Sequence, residues 1–294
     1  MKPSRSQFLE IRGLRYHVRN WGDESSPKLL MLHGWMDVSA SFQFTVDALE
    51  RDWHILAPDW RGFGLSGWSP CGYWFPDYIA DLDSLLERLS PDSPVNIIGH
   101  SMGGNIAGLY AGIRPQRIAN LVLAEGFGLP PTVPEQAPGR YLKWLEANRE
   151  SPSLRPYASF EKVAQRLRSN TPGLTDERAR FLAQHWAEEK APGRIELRAD
   201  PHHKMPNPVL YRVEEAMACW RKITAPTLWL HGGGNWVERF MRGDRAMLNA
   251  YRACYRKLVE HKIDGASHMM HHDQPERFAR EIEAFLLGKP LPND

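Results

Sequence analysis

The stretch Val95-Asn96-Ile97-Ile98-Gly99-His100-Ser101-Met102-Gly103-Gly104 decides the fold of this chain. An apolar run, 95–98, ends in the pentapeptide Gly-x-Ser-x-Gly, and a small-residue stretch at helical spacing follows over 105–112. A buried strand that turns tightly into a helix is the setting in which this pentapeptide forms a nucleophile elbow, with one serine hydroxyl held clear of the backbone. Glycines are needed at the flanks because a Cβ there would strike the neighbouring strand or helix. The pentapeptide is short, so its place between strand and helix carries the reading.

Working outward, short apolar runs recur at 8–11, 14–18, 29–32, 54–57, 95–98, 121–124, 227–230 and 259–263. Runs of four or five suit strands buried on both faces. Arg12-Gly13 predicts a hairpin between the first two runs. Helix-period stretches over 78–89, 105–113, 244–258 and 275–287 lie between the later strands. This alternation predicts an α/β protein with a mostly parallel, doubly wound, eight-stranded sheet that begins antiparallel. From 129 to 222 no core strand is evident, and helical patterns occupy 139–149, 160–169, 175–189 and 208–220. Prolines cluster at both edges of that region. The expected organisation is a core of residues 1–128 and 223–294 with a helical cap, 129–222, inserted over one end of the sheet.

The bulk properties narrow the function. Hydrophobic residues are 42% and charged residues 24%, an ordinary globular balance. The net charge of +2 without long charged blocks points away from nucleic acid and from anionic membranes. Three dispersed cysteines form neither a disulfide framework nor metal-ligand spacing. The amino-terminal stretch has no apolar signal-peptide core, so a cytoplasmic protein is expected. Nothing implies a cofactor, a small molecule is the expected partner, and the oligomeric state stays open.

In a parallel sheet the carboxyl ends of the strands share one edge, where ligands bind. Ser101, Glu125 and His268 each follow a predicted strand and so converge there. A serine hydroxyl is a poor nucleophile without a base and a group that orients the base. Ser101 is the candidate nucleophile, and His268, after the last strand and before a final helix, is the candidate base. The neighbouring His271 and His272 have poor spacing for metal ligands. The Met102 amide, next after the nucleophile, is one expected oxyanion donor. The loop His33-Gly34-Trp35-Met36 should supply the other, with Trp35 as candidate.

Four stretches together resemble the α/β-hydrolase superfamily: His33-Gly34-Trp35, the segment from Asp59 to Ser66, the elbow, and Gly265-Ala266-Ser267-His268. Within it, His-Gly-Trp followed by Asp37 and Ser41-Phe42 is similar to serine hydrolase-like proteins. The resemblance implies the α/β-hydrolase fold and gives Asp59 a loop-holding role. Most members carry the triad acid in the turn after the penultimate strand, but here that turn, Gly232-Gly233-Gly234-Asn235-Trp236, has no carboxylate. A second branch, including the haloalkane dehalogenases, places the acid where Glu125 stands. Glu125 is therefore the expected acid, against the alternative of a salt bridge that tethers the cap. Glu238 is a poorer choice.

The resulting expectation is a serine hydrolase, a carboxylesterase acting through an acyl-enzyme on a small apolar ester. Thioesters and carbon–carbon bonds beside a ketone use the same apparatus, and a non-catalytic binding module of this fold is the contrasting reading. Dehalogenase chemistry is disfavoured because those relatives carry a carboxylate at the elbow. Phe127, Trp144, Trp186 and Met269 are candidate pocket walls, each equally explicable as core packing.

Overall fold

The computed structural model describes residues 1–232 and 241–292. Asn235 and Glu238, weighed above for the acid position, lie outside the described residues.

The strands are β1 (Ser4–Ile11), β2 (Leu14–Trp21), β3 (Lys28–Leu32), β4 (His54–Pro58), β5 (Val95–His100), β6 (Ile118–Ala124), β7 (Ala187–Ala191), β8 (Arg194–Leu197), β9 (Thr227–Gly232) and β10 (Leu258–Ile263). Eight form one sheet in the order β1-β2-β4-β3-β5-β6-β9-β10. β1 and β2 pair antiparallel through the Arg12-Gly13 turn, β2 pairs antiparallel with β4, and the remaining pairs are parallel. The helices are α1 (Gln43–Ala48), α2 (Phe75–Leu89), α3 (Met102–Ile113), α4 (Ala137–Ala147), α5 (Phe160–Asn170), α6 (Asp176–Trp186), α7 (Val213–Trp220), α8 (Arg245–Arg252), α9 (Met270–Asp273) and α10 (Pro275–Leu286).

Side chains alternate between two cores because successive residues of a strand face opposite sides. Leu30, Leu32, Ile97, Leu121, Leu123 and Trp229 join α2, α3 and α7 on one side. Leu29, Met31, Ile98, Val122, Leu228 and Leu230 join α1 and α10 on the other. Ile97 and Ile98, adjacent and both fully buried, thus anchor β5 in both cores. Each contributes roughly 2 kcal/mol of burial. The strand that carries the elbow is fixed from both faces.

The segment between β6 and β9 has a small core of its own, built from residues such as Val163, Leu167, Leu182 and Ile195. Thr175 caps α6, its side chain accepting from the Arg178 amide, as the helix-start signal predicts. The helix expected over 175–189 ends at Trp186, however, and the chain turns into the β7–β8 hairpin. Pro192 and Gly193 (φ 72°) make the turn, a breaker pair that outweighs the helical pattern before it. At the far edge, α7 packs on α3 in the main core: a Cβ on Gly112 would stand 2.0 Å from the Cys219 carbonyl oxygen. Among the described residues no helix is long and apolar enough to cross a membrane.

Candidate active site

Ser101 sits between β5 and α3 with φ 51° and ψ −115°, a backbone conformation costly for a residue with a Cβ. The surroundings hold it there. Its amide donates to the Ala124 carbonyl at 2.8 Å, tying the elbow to the end of β6. A Cβ on Gly103 would stand 2.3 Å from the Leu32 carbonyl oxygen, and one on Gly99 2.5 Å from the Gly103 oxygen. The sequence places glycine where strand and helix meet without room for a side chain.

His268, after β10, brings its Nε2 to 3.2 Å from Ser101 Oγ. Its Nδ1 lies 3.7 Å from Oε2 of Glu125, an ion-pair separation rather than a hydrogen-bond length. Glu125 follows β6 with φ 54° and is 2% exposed. Its Oε1 accepts from the Gly232 amide at 2.5 Å, so the carboxylate bridges the ends of β6 and β9. Oε2 accepts no hydrogen bond among the described residues and faces the imidazole. Residues separated by as many as 167 positions thus meet at the sheet edge.

The loop after β3 closes another side. His33 donates from Nδ1 to the Gly34 carbonyl at 2.7 Å and accepts at Nε2 from the Trp60 amide at 2.9 Å. A Cβ on Gly34 would lie 3.2 Å from the Cβ of Ser101 and 2.9 Å from Nδ1 of His100, so the loop rests directly on the elbow. Trp35 beyond it is 53% exposed. Met102 opens α3, where first-turn amides have no acceptor within the helix. Asp59 accepts from the amides of Ser39 (2.6 Å) and Leu65 (2.9 Å) and pairs with Nδ1 of His17 at 2.7 Å. Burial opposes its charge, but the hydrogen bond and charge of His17 outweigh burial and hold the carboxyl well below the usual range. Asp59 therefore fastens loops around the site.

Behind the serine and histidine lies a layer of buried imidazoles that sequence reasoning missed. Nε2 of His100 donates to the His268 carbonyl at 2.8 Å. The His100 ring stands 4.3 Å from that of His271, whose Nε2 meets Oδ2 of Asp37 at 3.1 Å. Asp37 also accepts from the Val38 amide at 2.8 Å and from the Ser41 hydroxyl. One donor atom each from Asp37, His100 and His271 lies within 4.8 Å of the others, a proximity hidden in the sequence. Burial, then the neighbouring imidazoles, push His100 well below the ordinary histidine range. The same causes bring His271 and His272 down to about 3. The signal available was the run His268 to His272 beside a histidine in the elbow, but only folding brings these rings together.

A cleft of about 450 Å³ opens beside this arrangement, with Trp35, Met102, Tyr73 and Trp144 in its wall. The other expected wall residues lie elsewhere. Phe127 is 3% exposed and stacks in the core on Trp229 and Tyr255, at 4.1 and 5.1 Å. Trp186 packs against the insertion's core and donates its Nε1 to Ser41 Oγ at 3.1 Å. Met269 is half-buried ahead of α9, its amide donating to Ser267 Oγ. His203 and Tyr73 line the cleft instead, stacked on each other at 3.6 Å.

Chemically, the site offers a hydroxyl within reach of an imidazole, a buried carboxylate at the far nitrogen, and a helix amino terminus. Residues 27–275 match the family model described as alpha/beta hydrolase fold. A serine hydrolase-like protein of Danio rerio is 29% identical over 289 residues, covering 94% of this chain and 85% of that protein. One from Dictyostelium discoideum is 26% identical, covering 94% and 79%. Among solved structures, the thioesterase domain from the curacin biosynthetic pathway superposes with a TM-score of 0.85 at 23% identity, covering 98% of this chain and all of that one.

Proposed function

We propose, from the membership of this chain in the alpha/beta hydrolase fold family, that it is a serine hydrolase cleaving carboxylic esters through an acyl-enzyme. The observation that carries the proposal is the Ser101 hydroxyl 3.2 Å from an imidazole nitrogen whose ring partner faces a buried carboxylate. On this reading Oγ of Ser101 attacks the ester carbonyl while Nε2 of His268 takes its proton. The Met102 and Trp35 amides stabilise the tetrahedral oxyanion. Collapse of that intermediate breaks the bond to the alkoxide, which leaves with the proton held on His268. Water then attacks the acyl-enzyme, giving its proton to His268, and the acid is released as Oγ recovers a proton. Glu125 stays ionised, orienting the ring and stabilising its charged form. The segment 129–222, apart from α7, which packs on α3 in the main core, acts as the cap over the cleft, the partner is a small-molecule substrate, and no cofactor enters the cycle.

A fluorophosphonate probe tests this directly. Labelling at Ser101 that vanishes in Ser101→Ala and His268→Ala, with matching loss of p-nitrophenyl acetate hydrolysis, is the expected result. An unlabelled Ser101 in folded protein would instead mark a binding module. Labelling accompanied by cleavage of acyl thioesters alone would reassign the leaving group.

A further inference from the structure

A second cavity, of about 870 Å³, lies between the insertion and the outer sides of α2 and α3. Ile79, Leu109, Ile113, Leu129 and Ala216 give it an apolar wall. It is not isolated from the candidate site: Trp74, Phe75 and Asn207 line both this cavity and the cleft that holds Trp35 and Met102. Met102, Leu109 and Ile113 lie along one helix. At 1.5 Å rise per residue the cavity therefore meets α3 roughly 10 to 16 Å from the residue next to the nucleophile. Three arginines also reach it: Arg140, whose guanidinium donates to the Asn207 carbonyl, Arg212, paired with Glu215, and Arg242.

We propose that this cavity receives an unbranched apolar chain of the substrate while the ester carbonyl lies in the cleft beside Met102. This inference rests on the ester-hydrolase reading and deepens it. It also replaces the small ester expected from the sequence with a chain of roughly eight to thirteen carbons, the extended length that reaches from beside Met102 to Leu109 and Ile113. The physical reason is area. Each methylene moved from water to an apolar wall improves binding by up to roughly fourfold. Short esters leave the wall empty. The occupant is set by adjacency: an apolar wall that shares Trp74, Phe75 and Asn207 with the cleft suits something covalently attached to the reacting carbonyl group. The chain is either the acyl or the alcohol part, and the experiment separates them.

Two substrate series decide the matter: p-nitrophenyl esters from acetate to decanoate, and alkyl acetates from ethyl to decyl. In one series kcat/KM should rise at least about thirtyfold from shortest to longest, and in the other it should stay flat. Leu109→Trp, which fills the groove, and Ile113→Glu, which charges its half-exposed end, should collapse that long-to-short ratio toward one. Ile113→Leu should restore it. Thermal melts confirm that each variant is folded. If Ser101 is labelled by fluorophosphonate and acetate is cleaved but neither series gains with length, the chain inference fails while the ester reading stands. A length profile unchanged in both disruptive variants overturns it equally. An unlabelled Ser101 removes both.

Discussion

The residue immediately before the candidate nucleophile holds the backbone of the candidate base: Nε2 of His100 lies 2.8 Å from the carbonyl oxygen of His268. A carbonyl can only accept, so the His100 proton is on Nε2. Burial keeps the ring neutral and so preserves that arrangement. The elbow and the loop after β10 are thereby joined by one hydrogen bond behind the reacting groups.

His100→Ala removes that part-buried bond. Such a loss costs about 0.5–1.5 kcal/mol. Turnover should fall about ten- to a hundredfold with KM little changed, since the His268 loop loses its register while the cleft is untouched. Steady-state kinetics alongside a melting curve read this out. A variant destabilised yet fully active per folded molecule would reduce His100 to a structural role.

Glu125→Gln keeps an amide oxygen for the Gly232 N–H but removes the charge facing His268. Neutralising a triad acid lowers turnover by up to about 10⁴-fold. We expect a loss of 10² to 10⁴ with an unchanged melting temperature, and little effect from Asn235→Ala. Near-normal turnover in Glu125→Gln, with collapse in Asn235→Ala, would move the orienting role to the turn after β9.

His271 and His272 make stability pH-dependent in a definite direction. Both are held neutral when folded, down to about 3, whereas in the unfolded chain they titrate near 6.5. Between these limits the unfolded state binds more protons, so stability is full above about pH 6.5 and declines as pH falls toward 3. Each histidine adds a slope of about 1.4 kcal/mol per pH unit in that window. Neither ring nitrogen of His272 makes a hydrogen bond among the described residues. His272→Phe should therefore be close to neutral at pH 7.5 and visibly less sensitive to acid. Denaturant midpoints measured from pH 8 to 4 would show the two curves diverging, and parallel curves would refute the assignment.

Gly103→Ala tests the steric basis of the elbow. The added methyl would meet the carbonyl oxygens of Leu32 at 2.3 Å and His33 at 2.8 Å, both backbone atoms with little freedom to withdraw. Overpacking of this kind costs about 1–3 kcal/mol or more. A drop in Tm of roughly 5–10 °C is expected in calorimetry, together with weaker fluorophosphonate labelling of Ser101. Wild-type values for both would mean that β3 and α3 can move apart freely.

The sequence by itself determined the elements whose signals are local. An apolar run must alternate between two cores, and a serine flanked by glycines can occupy the tight turn after β5 because no side chain obstructs it. The order of strand and helix then forced the parallel sheet and brought Ser101, Glu125 and His268 to one edge. The tertiary structure decided matters that depend on distances across the chain. It turned one oxygen of Glu125 to the Gly232 amide and the other toward His268, buried Phe127 against Trp229, and brought His100 beside His271, which meets Asp37. It also ended α6 at Trp186, where the chain enters a hairpin closed by Pro192-Gly193 that the preceding periodicity had masked. Backbone preferences act over a few residues and can be read along the chain. Which way a buried carboxylate or ring points depends on neighbours supplied by other strands, and those exist only once the sheet has closed.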